Sequence, residues 1–188
     1  MIKSLLRVSW QLDLIQKSDQ IALFEVLDEN RTYLRKWLPF VSTITSEEDL
    51  DSFIDFVTKP KEVEWSPVFL IKSDNKIIGL IGFKNTNLEL KHTEIGYWLV
   101  EHMQGHGIIT SALKELLRFA FLKMEMRKII VKCGLENFPS RRIPSKLGFK
   151  IDHIEPMGEQ MANGDWIDLV HYVLDRNDYP KNSKSKYS

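Results

Sequence analysis

Between His92 and Leu135 the chain reads as a strand, a glycine-punctuated turn, a helix and a second strand: HTEIGYWLV, EHMQGHG, IITSALKELLRFAF and KIIVKCGL. In the first run Glu94, Gly96, Trp98 and Val100 alternate with Ile95, Tyr97 and Leu99, which is the two-residue period of a strand. Leu113, Leu116, Leu117, Ala120, Phe121 and Met124 then recur at helical spacing and form one apolar stripe. Two strands joined through such a helix are parallel neighbours, because a right-handed helical crossover is the usual link. That single unit commits the chain to an α/β architecture.

The flanking segments supply the rest of the sheet. Val8, Trp10, Leu12 and Leu14 alternate with polar residues as a half-buried strand does. A helix is expected from an Asp19 cap through Leu23, Phe24, Leu27, Leu34 and Leu38, stopped by Pro39. Ser46 and Asp49 form a variant capping box ahead of Leu50, Phe53, Ile54 and Val57. PKEVEW then reads as a charged loop, and VFLIKSDNKIIGLIGFK as a hairpin turning at SDNK. SRRIPSKLGF reads as a short helix ended by Gly148. FKIDHIEP and DWIDLVHYVL read as two last strands joined at NGD. The expectation is one mixed-sheet α/β (α+β) domain over residues 1–176, followed by a polar, basic, disordered tail over 177–188.

A glycine turn between a strand and a helix N-terminus is a geometry that holds phosphate on backbone amides. QGHGII lacks the Gly-Lys-Ser/Thr ending of a Walker A loop and the spacing of a dinucleotide fingerprint. His102 and His106 are four apart, but Gly105 and Gly107 argue against the continuous helix that would align them on a metal, so none is expected. Coenzyme A is the remaining phosphate carrier, beside a plain turn with no ligand at all.

EIGYWLVEHMQGHGIITSAL resembles motif A of the GNAT superfamily of acyl-CoA-dependent N-acetyltransferases, and LENFPSRRIPSKLGF resembles the block that follows it. NRTYLRKWLPFV and NGDWIDLVHYVL resemble the RimJ/RimL-type subgroup, which includes ribosomal-protein N-terminal acetyltransferases. The resemblance implies the GNAT fold, a mixed sheet of about seven strands with flanking helices, and acetyl-CoA as co-substrate. It places the pyrophosphate on Gln104, Gly105, His106, Gly107, Ile108, Ile109 and Thr110, where free amides meet the positive end of the helix dipole. The pantetheine would pair with the end of the first parallel strand at Leu99 and Val100 and with Asn137. A backbone N–H near Leu99 would face the thioester oxygen. Arg141, Arg142 and Lys146 are candidates for the 3′-phosphate, with Arg142 preferred.

Acetyl transfer also needs a base for the amine and an acid for the thiolate. Glu94 on the strand is the candidate base, acting directly or through water. Many GNAT enzymes carry an acidic Tyr seven residues after the Asn, where this chain has Pro144. Proline has no proton to give, and Ser140 is the hydroxyl that the subgroup resemblance offers instead; as a bare residue it could equally cap the short helix. Cys133, lone in an apolar strand, reads as inert core. The acceptor side would draw on Arg31, Arg35, Trp37, Phe40 and Trp65. The N-terminal amine of a protein, as in the ribosomal-protein enzymes, is the first expectation. A polyamine, an amino sugar, an amino acid, or a module that binds acyl-CoA without transfer are the alternatives.

The 26 basic and 26 acidic side chains balance, so no bulk field draws the chain to nucleic acid or to an anionic membrane. No stretch approaches the roughly 20 apolar residues of a bilayer span, and one cysteine suits a reducing compartment. A cytoplasmic protein is expected. Homodimers are common in the resembled subgroup, and nothing in the sequence bears on that point.

Overall fold

The computed structural model describes residues 9–58 and 66–180. Val8, the whole PKEVEW loop with Trp65, and the KNSKSKYS tail lie outside the described residues. Seven strands form one mixed sheet: β1 (Gln11–Leu14), β2 (Val68–Ser73), β3 (Lys76–Asn87), β4 (His92–Leu99), β5 (Lys128–Gly134), β6 (Lys150–Gln160) and β7 (Trp166–Asp175). Their order is β1-β2-β3-β4-β5-β7-β6, antiparallel throughout except for the parallel β4–β5 pair. The helices are α1 (Gln20–Glu29), α2 (Arg31–Leu34), α3 (Asp51–Thr58), α4 (Ile108–Leu122) and α5 (Phe138–Lys146). Among the described residues, no helix is long and apolar enough to cross a membrane.

The local signals explain most of these elements. Asp74 and Asn75, both at positive φ (48° and 61°), make the two-residue turn of the β2–β3 hairpin, a conformation that Asn and Asp tolerate. The Ser46–Asp49 capping box forms, with the Asp49 carboxylate accepting the Ser46 N–H at 2.9 Å. The helix expected from Asp19 to Leu38 is instead broken at Asn30 (φ −107°, ψ 10°) into α1 and α2, and its last turn ends at Leu34. Asn30 bends the chain by folding its side-chain amide back onto the Val26 carbonyl, 2.9 Å away. Met124, expected in the α4 stripe, falls beyond the end of that helix.

The strand register sorts side chains between two faces, since paired residues point the same way. On one face α4 buries Leu113, Leu116, Leu117 and Phe121, each contributing about 1.5–3 kcal/mol by leaving water. Phe119 of α4 reaches Phe83 of β3 with ring centroids 6.1 Å apart. The N-terminal helical segment lies on the opposite face. There Lys72 holds Asp19 at 3.2 Å, and a Cβ on Gly134 would meet the Trp37 ring at 3.4 Å.

Two expectations on boundaries change. The final strands extend further than the sequence indicates, with β6 continuing past Pro156 to Gln160 through two register shifts. The boundary expected at residue 176 falls inside packed chain: Tyr179 rests on Phe121 with centroids 4.8 Å apart, and Asp178 accepts from Lys150 Nζ at 2.7 Å.

Candidate active site

The parallel pair β4–β5 is joined only over His92–Glu94 and Lys128–Ile130. Beyond Glu94 the two strands separate, although β4 continues to Leu99 and β5 to Gly134. The sheet therefore contains a slot, with unpaired backbone on the facing edges of Ile95–Leu99 and Val131–Gly134. Successive N–H groups of a strand point to opposite sides. Val100 N–H donates to Ile78 O on the β3 side at 2.9 Å, so Leu99 N–H is directed into the slot. Val100 itself has a buried side chain and an N–H already paired with β3, leaving that amide unable to meet a ligand.

The glycine turn lies at the wide end of the slot. Gly105 and Gly107 both have φ of 77°, the left-handed region, and a Cβ on either would meet nothing within 4 Å. Backbone conformation, rather than protein packing, requires glycine here. The first intrahelical bond of α4 is Ser111 N–H to Gly107 O at 3.0 Å. The N–H groups from Gly105 to Thr110 find no backbone acceptor among the described residues. Ile108 and Ile109 bury their side chains and offer only their amides. His106 Nδ1 lies 3.2 Å from Met103 O. Gln104 Nε2 donates to the Tyr33 hydroxyl, which ties this turn to α2. His102 and His106 do not share a helix, and no group of three metal-ligating side chains occurs among the described residues.

Ser140, Cys133 and Tyr97 meet on the α4–α5 face. Ser140 Oγ lies 3.3 Å from Cys133 Sγ and 3.4 Å from the Tyr97 hydroxyl. Pro144, lacking an N–H, leaves the Ser140 carbonyl without its usual helical donor, and Tyr97 Oη donates to it at 3.2 Å. The tyrosine therefore replaces the bond that the proline removes. Burial pushes the Tyr97 hydroxyl well above its ordinary range, so it remains a donor. Burial likewise raises the Cys133 thiol, keeping it protonated and poorly nucleophilic. The cap of α5 is Asn137 rather than Ser140: its Oδ1 accepts Ser140 N–H at 3.2 Å, leaving Nδ2 free of that role.

Arg141 turns away from the slot. Its Nε donates to the Tyr172 hydroxyl at 3.1 Å and its Nη1 to Leu135 O at 2.6 Å, over β7. Arg142 and Lys146 line the same groove of about 400 Å³ beside Phe138, Ser145 and Tyr172. The basic cluster and Ser140 thus occupy opposite flanks of α5.

Charged groups gather on the other face of the sheet. Glu94 is buried, with Lys84 Nζ 2.8 Å from Oε1 and Asn85 Nδ2 donating to Oε2 at 3.2 Å. Glu159 of β6 lies in the field of this pair and of Lys132; burial raises its carboxyl above the ordinary range, and the Glu94 charge adds to the rise. Glu159 was not singled out in the sequence, where Pro156 reads as the end of a strand. The Gly158 two residues after that proline is the signal of a bulge that carries the strand onward. On the acceptor side Trp37 abuts the end of β5, while Arg31 is tied to Asp28 at 2.9 Å and to Val41 O. Arg35 and Phe40 are exposed.

Residues 11–150 match the family described as "Acetyltransferase (GNAT) domain". The chain is 29% identical over 168 residues to the ribosomal-protein-serine acetyltransferase of Escherichia coli (strain K12), covering 89% of this chain and 94% of that protein. It is 27% identical to the putative ribosomal N-acetyltransferase YdaF of Bacillus subtilis (strain 168), covering 86% and 88% of the two chains. Among solved structures, RimL, a ribosomal alpha-N-protein acetyltransferase in complex with coenzyme A, superposes with a TM-score of 0.83 at 25% identity. That match covers 89% of this chain and 96% of the other.

Proposed function

Because the chain belongs to the GNAT acetyltransferase family and is an acyl-CoA-dependent N-acetyltransferase, we propose that it acetylates the N-terminal amine of a protein, a ribosomal protein first. The observation that carries the placement of the chemistry is the slot between β4 and β5, with the amide-lined turn at its mouth. The similarity to the ribosomal-protein-serine acetyltransferase supports the acceptor class.

In this reading the amides of Gly105–Thr110 hold the pyrophosphate of acetyl-CoA at the positive end of α4. The pantetheine lies in the slot, and Leu99 N–H donates to the thioester oxygen as charge develops there. Asn137 Nδ2 is available to the pantetheine, whereas Arg142 and Lys146, on the flank of α5 away from Ser140, are not assigned to the 3′-phosphate. The acceptor enters on the face of Trp37 and Glu94, opposite Ser140.

Glu94 is occupied by Lys84 and Asn85. We therefore assign proton removal from the ammonium to Glu159, with Glu94 as the neighbouring charge that favours protonation. The neutral amine attacks the carbonyl carbon, the nitrogen releases its surplus proton to solvent, the C–S bond breaks, and the coenzyme thiolate takes the Ser140 hydroxyl proton from the other face. Solvent then restores the serine proton. Positioning of amine and thioester supplies most of the rate. The cytoplasm belongs to the same reading, since one unpaired cysteine suits a reducing compartment.

The test is a panel of acceptors incubated with acetyl-CoA and read by mass spectrometry: peptides beginning with Ser or Ala from ribosomal-protein termini, a polyamine, an amino sugar and free amino acids. Acetylation confined to the peptide N-terminus supports the assignment. Acetylation confined to the small amines overturns it.

A further inference from the structure

The bulge in β6 is more heavily built than an edge strand requires. Glu155 pairs with Leu169 and Glu159 with Ile167, so two extra residues of β6 stand against β7 in that interval. Met157 in the bulge has φ of 48°, an uncommon value for a side chain of its size. Its N–H is received by the Asp168 carboxylate at 2.9 Å. Gly158 closes the bulge by near contact: a Cβ there would stand 2.9 Å from Leu169 Cγ and 3.1 Å from the Glu155 side chain. Glu155 is in turn held by buried His171, whose Nε2 lies 2.7 Å from Oε2, and that bond keeps the Glu155 carboxyl below its ordinary range.

Asp168 also makes a second connection. Its backbone carbonyl accepts Leu135 N–H at 2.8 Å, in the turn that leads from β5 to Asn137 and Ser140. One residue of β7 thus joins the loop before Ser140 to the bulge before Glu159.

We propose that Asp168 is a positioning residue for Glu159: by accepting the Met157 N–H, its carboxylate fixes the bulge that delivers Glu159 beside the Lys84–Glu94 pair. The inference rests on the proposed role of Glu159 and names what holds that side chain in place. The charged groups that act on Glu159 are Lys84 of β3, Glu94 of β4 and Lys132 of β5, with Glu155 of β6 and His171 of β7 paired next to Lys132. All of them remain when Asp168 is changed.

The experiment is a carboxyl-carbon NMR titration of the full chain labelled at glutamate, with Glu159→Gln used to assign the Glu159 signal. Wild type and Asp168→Asn, whose amide oxygen still accepts the Met157 N–H, should titrate Glu159 above the ordinary carboxylate range. In Asp168→Ala the signal should move to the ordinary range, while calorimetric binding of coenzyme A stays unchanged. Gly158→Ala, which disturbs the bulge from the other side, should do the same and serves if Asp168→Ala fails to fold. With an unmodified peptide that the acceptor panel shows to be a substrate, both variants should lose on the order of 10- to 100-fold in kcat, as for misplaced catalytic groups. An unchanged Glu159 titration in folded Asp168→Ala or Gly158→Ala overturns the positioning role. A pH–rate limb that survives in Glu159→Gln overturns the base assignment instead, so the two failures are distinguishable.

Discussion

Tyr97 and Pro144 form a testable pair. Removing the tyrosine hydroxyl with Tyr97→Phe strands the Ser140 carbonyl, because residue 144 has no N–H to take its place. A buried polar group left unpaired costs about 1–3 kcal/mol. Pro144→Ala alone should change little: the carbonyl already has a donor, and the lost rigidity of the unfolded chain is worth about 0.4–1 kcal/mol. In the double variant the new Ala N–H lies four residues from Ser140, at helical hydrogen-bonding distance, and accommodates the stranded carbonyl. Tyr97→Phe should then cost far less than in the parent, giving a coupling energy of about 1–2 kcal/mol against the ~0.3–0.5 kcal/mol scatter of independent sites. Urea unfolding of the four proteins, with unchanged m-values, measures it. Additivity within that scatter would refute the claim that the tyrosine replaces the helical bond removed by the proline.

Other perturbations address the cofactor side. Gly107→Ala forces a side chain to adopt φ near 77°, which costs about 1–2 kcal/mol of stability and puts a methyl group on the amide cradle. Calorimetry should show coenzyme A affinity falling by at least about tenfold, and equal affinity would remove the turn from the site. Cys133→Ala should retain transfer to within about threefold, since a buried protonated thiol is not the nucleophile. Labelled acetyl-CoA without acceptor should leave no label on the wild-type protein; a labelled Cys133 would overturn direct attack.

Features coded by short-range pattern were legible in the sequence. The crossover from Glu94 to Leu135, the SDNK hairpin, the Ser46 capping box and the glycine turn each depend on a few adjacent residues. The break at Asn30 was not, because the apolar spacing runs on through it while the asparagine side chain competes for the backbone. Asn137 as the α5 cap was obscured by Ser140, an equally good capping residue on pattern alone. Tyr97 could be placed on a strand, but its bond to Ser140 spans 43 residues and has no local signature. Glu159 was hidden for a related reason. Its location follows from a two-residue excess in β6, and strand periodicity carries no record of bulges.

The slot between β4 and β5 also has a thermodynamic consequence. Unpaired backbone inside a sheet is a standing deficit of hydrogen bonds, met by water until a ligand with amides of its own lies in the gap. If the pantetheine fills that place, it acts as a short additional strand that the unfolded chain cannot recruit. Folding and acetyl-CoA binding are then linked, and the folded state gains about 2.7 kcal/mol when the coenzyme stands at a hundred times its dissociation constant. For a chain of 188 residues that amounts to a rise of roughly 5–10 °C in melting temperature at about 2–4 °C per kcal/mol. Acetyl-CoA supply would then govern the lifetime of the enzyme as well as its turnover.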